Sequence, residues 1–414
     1  MEKFCRFCCA ELTETFADLG LSPPANAYVP PEKAHLPDVF YPLVAYVCGS
    51  CYLVQILEVL KPQELFSEYA YFSSYSRTWL EHAQNFVDSM IERFRYDATS
   101  RVVEVASNDG YLLRSFRDRG VPVLGIEPAA NVARAAEEAG VPTRVRFFDE
   151  AIARELAAEG WRADLLIGNN VLAHVPDLNN FVGGLSTVLA EQGVLTMEFP
   201  HLMRLMAENQ FDTIYHEHYS YFSFGTVRRV LAHHGLEVFD VEELHTHGGS
   251  LRIYARRAGE GADDEPGQGG ERVVELLARE ETFGLADLET YRAFDARVRA
   301  TKRKLLGFLA KAKGEGKRIV GYGAPAKGNT LLNYCGIGVE TLDYTVDISP
   351  HKQGHLLPGT RIPIHPPERI FDTRPDYILI LPWNLRDEVV EQMSGVQEWG
   401  GQFVVAIPEV QVLA

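Results

Sequence analysis

Residues 101–111 read RVVEVASNDGY. Val102, Val103, Val105 and Ala106 surround Glu104 as a buried strand, Ser107 to Gly110 break the run, and Tyr111, Leu112, Leu113 and Phe116 follow at helical spacing. A strand, a tight turn and a helix in that order open a doubly wound α/β sheet, with the N–H groups of the turn facing a ligand. About twenty residues on, where such sheets place a ribose-binding carboxylate, the apolar run Val121 to Ile126 ends in Glu127. The turn holds one glycine, Gly110, where a dinucleotide fingerprint has three. A pyrophosphate could not approach it closely, so a phosphate-free adenosine ligand fits better, and S-adenosylmethionine is the commonest of these.

Working outward, a helix from Trp79 to about Phe94 leads into this sheet. A later strand, Asp164 to Gly168, ends in Asn169 and Asn170, which with His174 would sit over the crevice at the strand ends. A lone histidine is more often a satisfied structural residue, but the strand-end position favours a site. The strand from Gly193 ends at the carboxylate Glu198. Beyond it, Tyr215-His216-Glu217-His218-Tyr219-Ser220-Tyr221-Phe222 is dense in acid–base groups. Adjacent residues of a helix diverge by about 100°, so His216, Glu217 and His218 cannot share one ion. A general base oriented by a carboxylate is the better reading, against a solvated polar turn.

At 414 residues the chain is long enough for two or three domains. A formal charge of −17 argues against a nucleic-acid partner, which needs a basic surface. No apolar run reaches the roughly 18 residues of a membrane span, and MEKFCRFCC has no signal-peptide core, so a cytoplasmic protein with reduced cysteines is expected. Cys5-x-x-Cys8 and Cys48-x-x-Cys51 have the spacing of a tetrahedral structural zinc site, preferred over four unrelated cysteines or a redox pair. Cys8 has the ligand spacing and Cys9 is the spare.

Two further stretches carry the organisation. Tyr69-Ala-Tyr71-Phe72-Ser73-Ser74-Tyr75-Ser76 reads either as an interdomain packing surface or as a lid whose hydroxyls reach a cleft. After the Gly-rich acidic linker 257–271 and a long helical stretch, 272–313, the run Gly321-Tyr-Gly323-Ala-Pro-Ala-Lys327-Gly328-Asn329 is again a strand, a Gly-rich turn and a helix. The next strand ends at Asp347, and this turn suits a diphosphate, with Lys327 as its point charge.

Taken together, the paired C-x-x-C module, YAYFSSYS, EVASNDG, NNVLAHVPD, EFPH, YHEHYSYFS, HGGSLR and GYGAPAKGNTLLN resemble the sugar C-3′-methyltransferases, in particular those of the tetronitrose pathway. The resemblance covers essentially the whole chain. It implies a zinc-binding module (1–66), a Rossmann-like methyltransferase domain (67–260) and a C-terminal Rossmann-like domain that helps to hold a dTDP-4-keto-deoxysugar (272–414). The family's catalytic positions carry over onto Tyr69, His174, Tyr215, Glu217 and His218, with Asn170 near the sugar. Cofactor contacts are expected from Glu104, Ser107, Asn108, Asp109, Gly110, Glu127 and Asn169, and substrate contacts from Tyr71, Lys327, Asn329 and Lys352. The expected protein is a monomer that uses S-adenosylmethionine and structural zinc, with no nucleic-acid or membrane partner. Competing readings are an N- or O-methyltransferase and a non-catalytic zinc-containing nucleotide-binding protein.

Overall fold

The computed structural model describes residues 3–66, 73–75, 77–259 and 270–413. Three antiparallel strands, β1 (Glu14–Ser22), β2 (Tyr41–Val47) and β3 (Val54–Ile56), follow the first cysteine pair. Of the apolar run after Cys51 only these last three residues form a strand. The helix Arg77–Phe94 comes next and turns Ala83, Phe86, Val87 and Met90, one face at i, i+3, i+4, i+7, into the core of the central sheet.

That sheet takes β4 (Val102–Val105), β5 (Val123–Ile126), β6 (Thr143–Arg144), β7 (Ala163–Asn169) and β8 (Leu189–Pro200) in parallel. The short strand β9 (Ser220–Tyr221) leaves it and pairs antiparallel with β3, closing the N-terminal sheet in the order β1-β2-β3-β9. The chain then returns as the hairpin β10 (Leu236–Leu244) and β11 (Ser250–Arg257), giving the order β10-β11-β8-β7-β4-β5-β6. Strand order reverses between β4 and β7, so a crevice opens outside their carboxyl ends, where ligands of such sheets bind.

The helical stretch expected over 272–313 is three helices, Glu271–Phe283, Leu288–Arg292 and Phe294–Gly314. Gly284 ends the first in a left-handed conformation (φ 93°), the common device for stopping a helix. The C-terminal sheet consists of β12 (Ile319–Tyr322), β13 (Thr345–Val346), β14 (Ile364–His365), β15 (Tyr377–Ile380), β16 (Gln402–Val405) and β17 (Gln411–Leu413). Its order is β14-β13-β12-β15-β16-β17, parallel except for β17.

One hydrophobic cluster runs through the N-terminal sheet, the segment before β9 and the C-terminal sheet. Phe16 of β1 stacks on Phe294 with ring centroids 4.5 Å apart, and both are buried. Truncating either to alanine would cost on the order of 3–5 kcal/mol. A second cluster joins Cys5, Cys48 and Cys51 to Phe224, Val227 and one face of the central sheet. The N-terminal module is thereby packed against both larger sheets. Among the described residues no helix is long and apolar enough to cross a membrane.

Candidate active site

Two matching knuckles build the metal site. Each C-x-x-C is followed by a left-handed residue, Cys9 (φ 59°) or Tyr52 (φ 60°), whose N–H donates to the first cysteine's carbonyl at 3.0 and 2.9 Å. The sulfurs of Cys5, Cys8, Cys48 and Cys51 lie within 4.8 Å of one another. Zn–S bonds of about 2.3 Å in a tetrahedron place sulfurs about 3.8 Å apart. The Cys5–Cys51 and Cys8–Cys48 pairs stand at 3.5 and 3.4 Å, so the donor set and spacing fit zinc. Gln55 Nε2 donates to Cys5 Sγ at 3.2 Å and Ser50 N–H to Cys48 Sγ at 3.4 Å, contacts that favour thiolates and orient them. Four thiolates leave no open coordination position, which makes the site structural. Cys9 is exposed and outside the group.

The cofactor side is the turn after β4. Ala106 and Asn108 adopt φ 57° and 49° and Gly110 φ 73°, which folds the turn tightly. Glu127, at the end of β5, accepts from Asn108 N–H at 3.0 Å and from Ala129 N–H at 2.9 Å. Each carboxylate oxygen keeps a lone pair for a hydroxyl. Burial raises the pKa of Glu127, and raises that of Glu104 well above the carboxylate range, with Asp109, Glu127 and Glu198 adding to it. Among the described residues, Glu104 Oε2, Ser107 Oγ and Asn169 Oδ1 are buried without a hydrogen-bond partner. Carboxyl groups gathered this way favour a cationic ligand, which S-adenosylmethionine is. Asn108 Oδ1 and Asp109 Oδ2 instead accept from the N–H groups of Ser73 (2.9 Å) and Ser74 (3.1 Å), tying the end of the aromatic stretch over the turn. Tyr69 and Tyr71 lie outside the described residues.

The segment expected to carry the acid–base groups spans residues 211–221. His216, Glu217 and His218 diverge, in a turn rather than a helix. His216 Nε2 meets the carbonyl of Pro42 (3.2 Å), and Glu217 Oε1 accepts from Asn26 Nδ2 (2.7 Å). His218 Nδ1 donates to Thr213 O at 2.9 Å, which leaves Nε2 as the acceptor for the Tyr215 hydroxyl at 2.9 Å. Thr213, rather than the expected carboxylate, is thus the group that orients this imidazole. His174 Nδ1 donates to the carbonyl of Glu217 at 2.8 Å, and its ring centre is 4.7 Å from that of His218. Burial holds His174 at a pKa of about 4; burial and then His174 hold His218 well below its usual value. Both imidazoles are neutral at neutral pH, and the lone pair of His218 Nε2 is engaged by the Tyr215 hydroxyl. Asn170, left-handed at φ 52°, keeps Oδ1 buried and, among the described residues, unpartnered.

The C-terminal sheet forms the facing wall. Lys327 Nζ lies 4.4 Å over the Trp383 ring and donates to Asn384 Oδ1 at 2.6 Å, while Trp383 Nε1–H donates to Asp212 Oδ2 at 2.8 Å. Burial lowers Lys327 to a pKa of about 8 against the opposing pull of Asp212, itself pushed up to about 7 by burial. Lys327 also depresses His218, so its charge reaches the reaction cluster. Gly328 lets the helix Ala326–Cys335 approach β15: an added Cβ would lie 2.7 Å from Leu381 Cβ, so this glycine serves packing. Asp347 fills the turn, accepting from Ala324 N–H at 2.7 Å, with Lys352 Nζ 3.4 Å from the same oxygen. Asn329 is 1% exposed, with both side-chain amide atoms unpartnered among the described residues.

Several members of the site carry no signal in sequence. Asn26 and Tyr28 sit in the proline-rich loop of the zinc module, yet Asn26 meets Glu217, and the Tyr28 hydroxyl donates to Ala324 O at 2.6 Å. His82 of the lead-in helix bonds Glu198 (3.0 Å), whose other oxygen takes Arg252 Nε–H (2.8 Å). The strand-end position of Glu198 is legible; its two partners are not.

Family models match in chain order: a zinc binding domain over residues 5–66, a methyltransferase domain over 79–241 and a C-methyltransferase C-terminal domain over 245–408. The C-methyltransferase NovU of Streptomyces niveus is 37% identical over 99% of this chain and 96% of its own length. Among solved structures, the PH0226 protein of Pyrococcus horikoshii OT3 is 16% identical, over 47% of this chain and 97% of that one (TM-score 0.37). Magnesium protoporphyrin IX methyltransferase of Synechocystis PCC 6803, solved with bound SAM, is 14% identical over 43% of this chain and 79% of its own (TM-score 0.34).

Proposed function

Because the chain belongs to the S-adenosylmethionine-dependent C-methyltransferases that carry an N-terminal zinc-binding module, we propose that it methylates carbon 3 of a dTDP-linked 4-keto-deoxysugar in the making of a natural-product sugar. In this reading the chain divides at 1–66, 67–260 and 272–414, and acts as a cytoplasmic monomer on a soluble substrate. The observation that carries it is the His218 imidazole, fixed by Thr213 so that Nε2 is the unprotonated nitrogen, beside the Tyr215 hydroxyl.

A carbon 3 proton is acidified by the neighbouring ketone, enough for an imidazole to remove it if the enolate oxygen meets donors as it forms. His218 Nε2 takes the proton. Tyr215, Tyr69, His174 and Asn170 are the candidate donors to the oxygen at carbon 4, and Glu217, held by Asn26, orients the sugar. S-adenosylmethionine, when bound at the β4 turn, supplies an electrophilic methyl group to the enolate carbon. Lys327 and Lys352 hold the anionic part of the nucleotide sugar, with Asn329 and Tyr71 as further contacts.

The test is exchange at carbon 3 of a deuterated keto-sugar without methyl donor. His218→Asn is expected to abolish deuterium washout and His174→Asn only to slow it. Washout at the wild-type rate in His218→Asn would move the base elsewhere. Methylation at nitrogen or oxygen would leave the deuterium in place.

A further inference from the structure

The motif His247-Gly248-Gly249-Ser250-Leu251-Arg252 has no part in the reaction described above, yet its backbone is unusual. Three consecutive residues have positive φ: His247 at 55°, Gly248 at 88° and Gly249 at 110°. A histidine keeps that conformation only where its surroundings over-determine it. Here they do. A Cβ on Gly248 would lie 2.6 Å from a Trp383 ring carbon, and one on Gly249 2.9 Å from Arg204 Cγ. Gly248 O accepts from Gln210 Nε2 at 2.7 Å, Gly249 N–H donates to Thr246 O at 2.9 Å, and Gly249 O accepts from His201 N–H at 3.1 Å. The segment is pinned between the central and C-terminal sheets.

What this pinning does is present an imidazole. The His247 side chain is exposed, its ring meets Trp79 edge-on at 5.3 Å, and among the described residues neither ring nitrogen has a hydrogen-bond partner. Its electrostatic neighbours are Lys327, Glu198, His82 and His174. The ring therefore stands in the cleft, open to water on one side and walled by protein on the others. It lies between the cofactor wall and the C-terminal turn. Desolvation by the cleft walls, and then Lys327, lower its pKa below the usual imidazole value, so it is neutral, with one N–H to donate. Glu198 does not bar an anion from this place, because Arg252 pairs with it through Nε (2.8 Å) and NH2 (2.5 Å). The strained, tightly packed backbone holds this ring in one place while its nitrogens stay open toward the cleft.

We propose that His247 is a substrate contact, its ring N–H donating to a phosphate oxygen of the nucleotide sugar beside the Lys327 ammonium. One residue from each side of the cleft would then grip the diphosphate, and the sugar would extend from there to His174 and His218. The inference rests on the assignment of the diphosphate to Lys327.

Calorimetric titration of zinc-loaded, full-length protein with sugar-free thymidine diphosphate tests it. His247→Gly suits the left-handed backbone and removes only the ring. It is expected to weaken binding about 10- to 100-fold, as for loss of a hydrogen bond to a charged group. His247→Gln, which restores an N–H donor, should recover part of that loss, and S-adenosylmethionine affinity should stay within about twofold in both variants. Unchanged thymidine diphosphate affinity in His247→Gly, with weakened binding in Lys327→Ala, overturns the His247 assignment alone. Unchanged affinity in both removes the Lys327 assignment, and the inference with it. A fall in kcat without loss of affinity would place His247 at the reacting end instead and also overturn the proposal.

Discussion

The two parallel sheets of this chain begin with the same device and surround it with opposite charge. In the central sheet the carboxylate that ends the second strand, Glu127, accepts from the turn at Asn108; in the C-terminal sheet Asp347 accepts from the turn at Ala324. Around Glu127 stand Asp109 and Glu104, and burial raises the pKa of both Glu127 and Glu104. Beside Asp347 stands Lys352 at 3.4 Å, and the helix that follows the turn carries Lys327. The first turn favours a cation and the second an anion. The number of glycines does not make this choice: Gly328 is spent on packing against Leu381. The charge brought in by neighbouring elements does.

The difference can be broken most forcefully through the zinc module, whose hydrogen bonds reach the reaction segment and the C-terminal turn. Asn26 and Tyr28 connect it to Glu217 and Ala324, and β9 ties it to the reaction segment. Structural zinc in such modules is worth about 10–16 kcal/mol of folding free energy. Cys48→Ser or chelation is therefore expected to lower turnover at least 100-fold, near the loss of a catalytic group, while S-adenosylmethionine still binds. Equal loss of both would show the central turn to be no more independent than the other, and elemental analysis without zinc would remove the premise.

Next in size, Glu127→Ala should weaken S-adenosylmethionine binding about 100-fold, as for two lost charge-assisted hydrogen bonds, and leave thymidine diphosphate affinity nearly intact. Lys327→Ala should do the reverse at about tenfold, raising the Michaelis constant for the sugar. If either variant weakened both ligands alike, the contrast of charge would not be a contrast of function.

The smallest effect comes from pH. The folded pKa of His174 is about 4, and His218 is also held low by burial, against about 6.5 in an unfolded chain. The unfolded state then binds more protons between those values, so stability is full above pH 6.5 and falls as pH drops toward 4. A melting temperature a few degrees lower at pH 5 than at pH 7 is expected. No change would mean that these imidazoles are not shielded as the cleft implies.

Local signals carry most of what the sequence shows. EVASNDG contains its own strand, turn and helix start, and the two C-x-x-C pairs contain their own ligand spacing, so both are readable without their surroundings. The long helical stretch after the linker is readable in its period but not in its break, because Gly284 looks like any tolerated helical glycine until its φ is known. The cleft is a different matter. Asn26 lies 191 residues from Glu217, and Tyr28 lies 296 from Ala324, so nothing near them in sequence marks them. His218 is conspicuous in YHEHYSYFS, but its orientation depends on the carbonyl of Thr213, and a backbone atom leaves no trace in residue identity.

The pairing of β9 with β3 also bears on how the chain is made. During synthesis the knuckles and the first three strands emerge early, and zinc can close them, yet the last strand of their sheet is Ser220–Tyr221, translated only after most of the central sheet. Until then β3 presents an unpaired edge, which attracts other chains. The nascent protein must shelter that edge while more than a hundred and fifty residues follow it from the ribosome. Slow translation or crowding should therefore penalise this enzyme at its N-terminal sheet first, as aggregation of a zinc-bound but incomplete chain rather than as loss of the catalytic sheet.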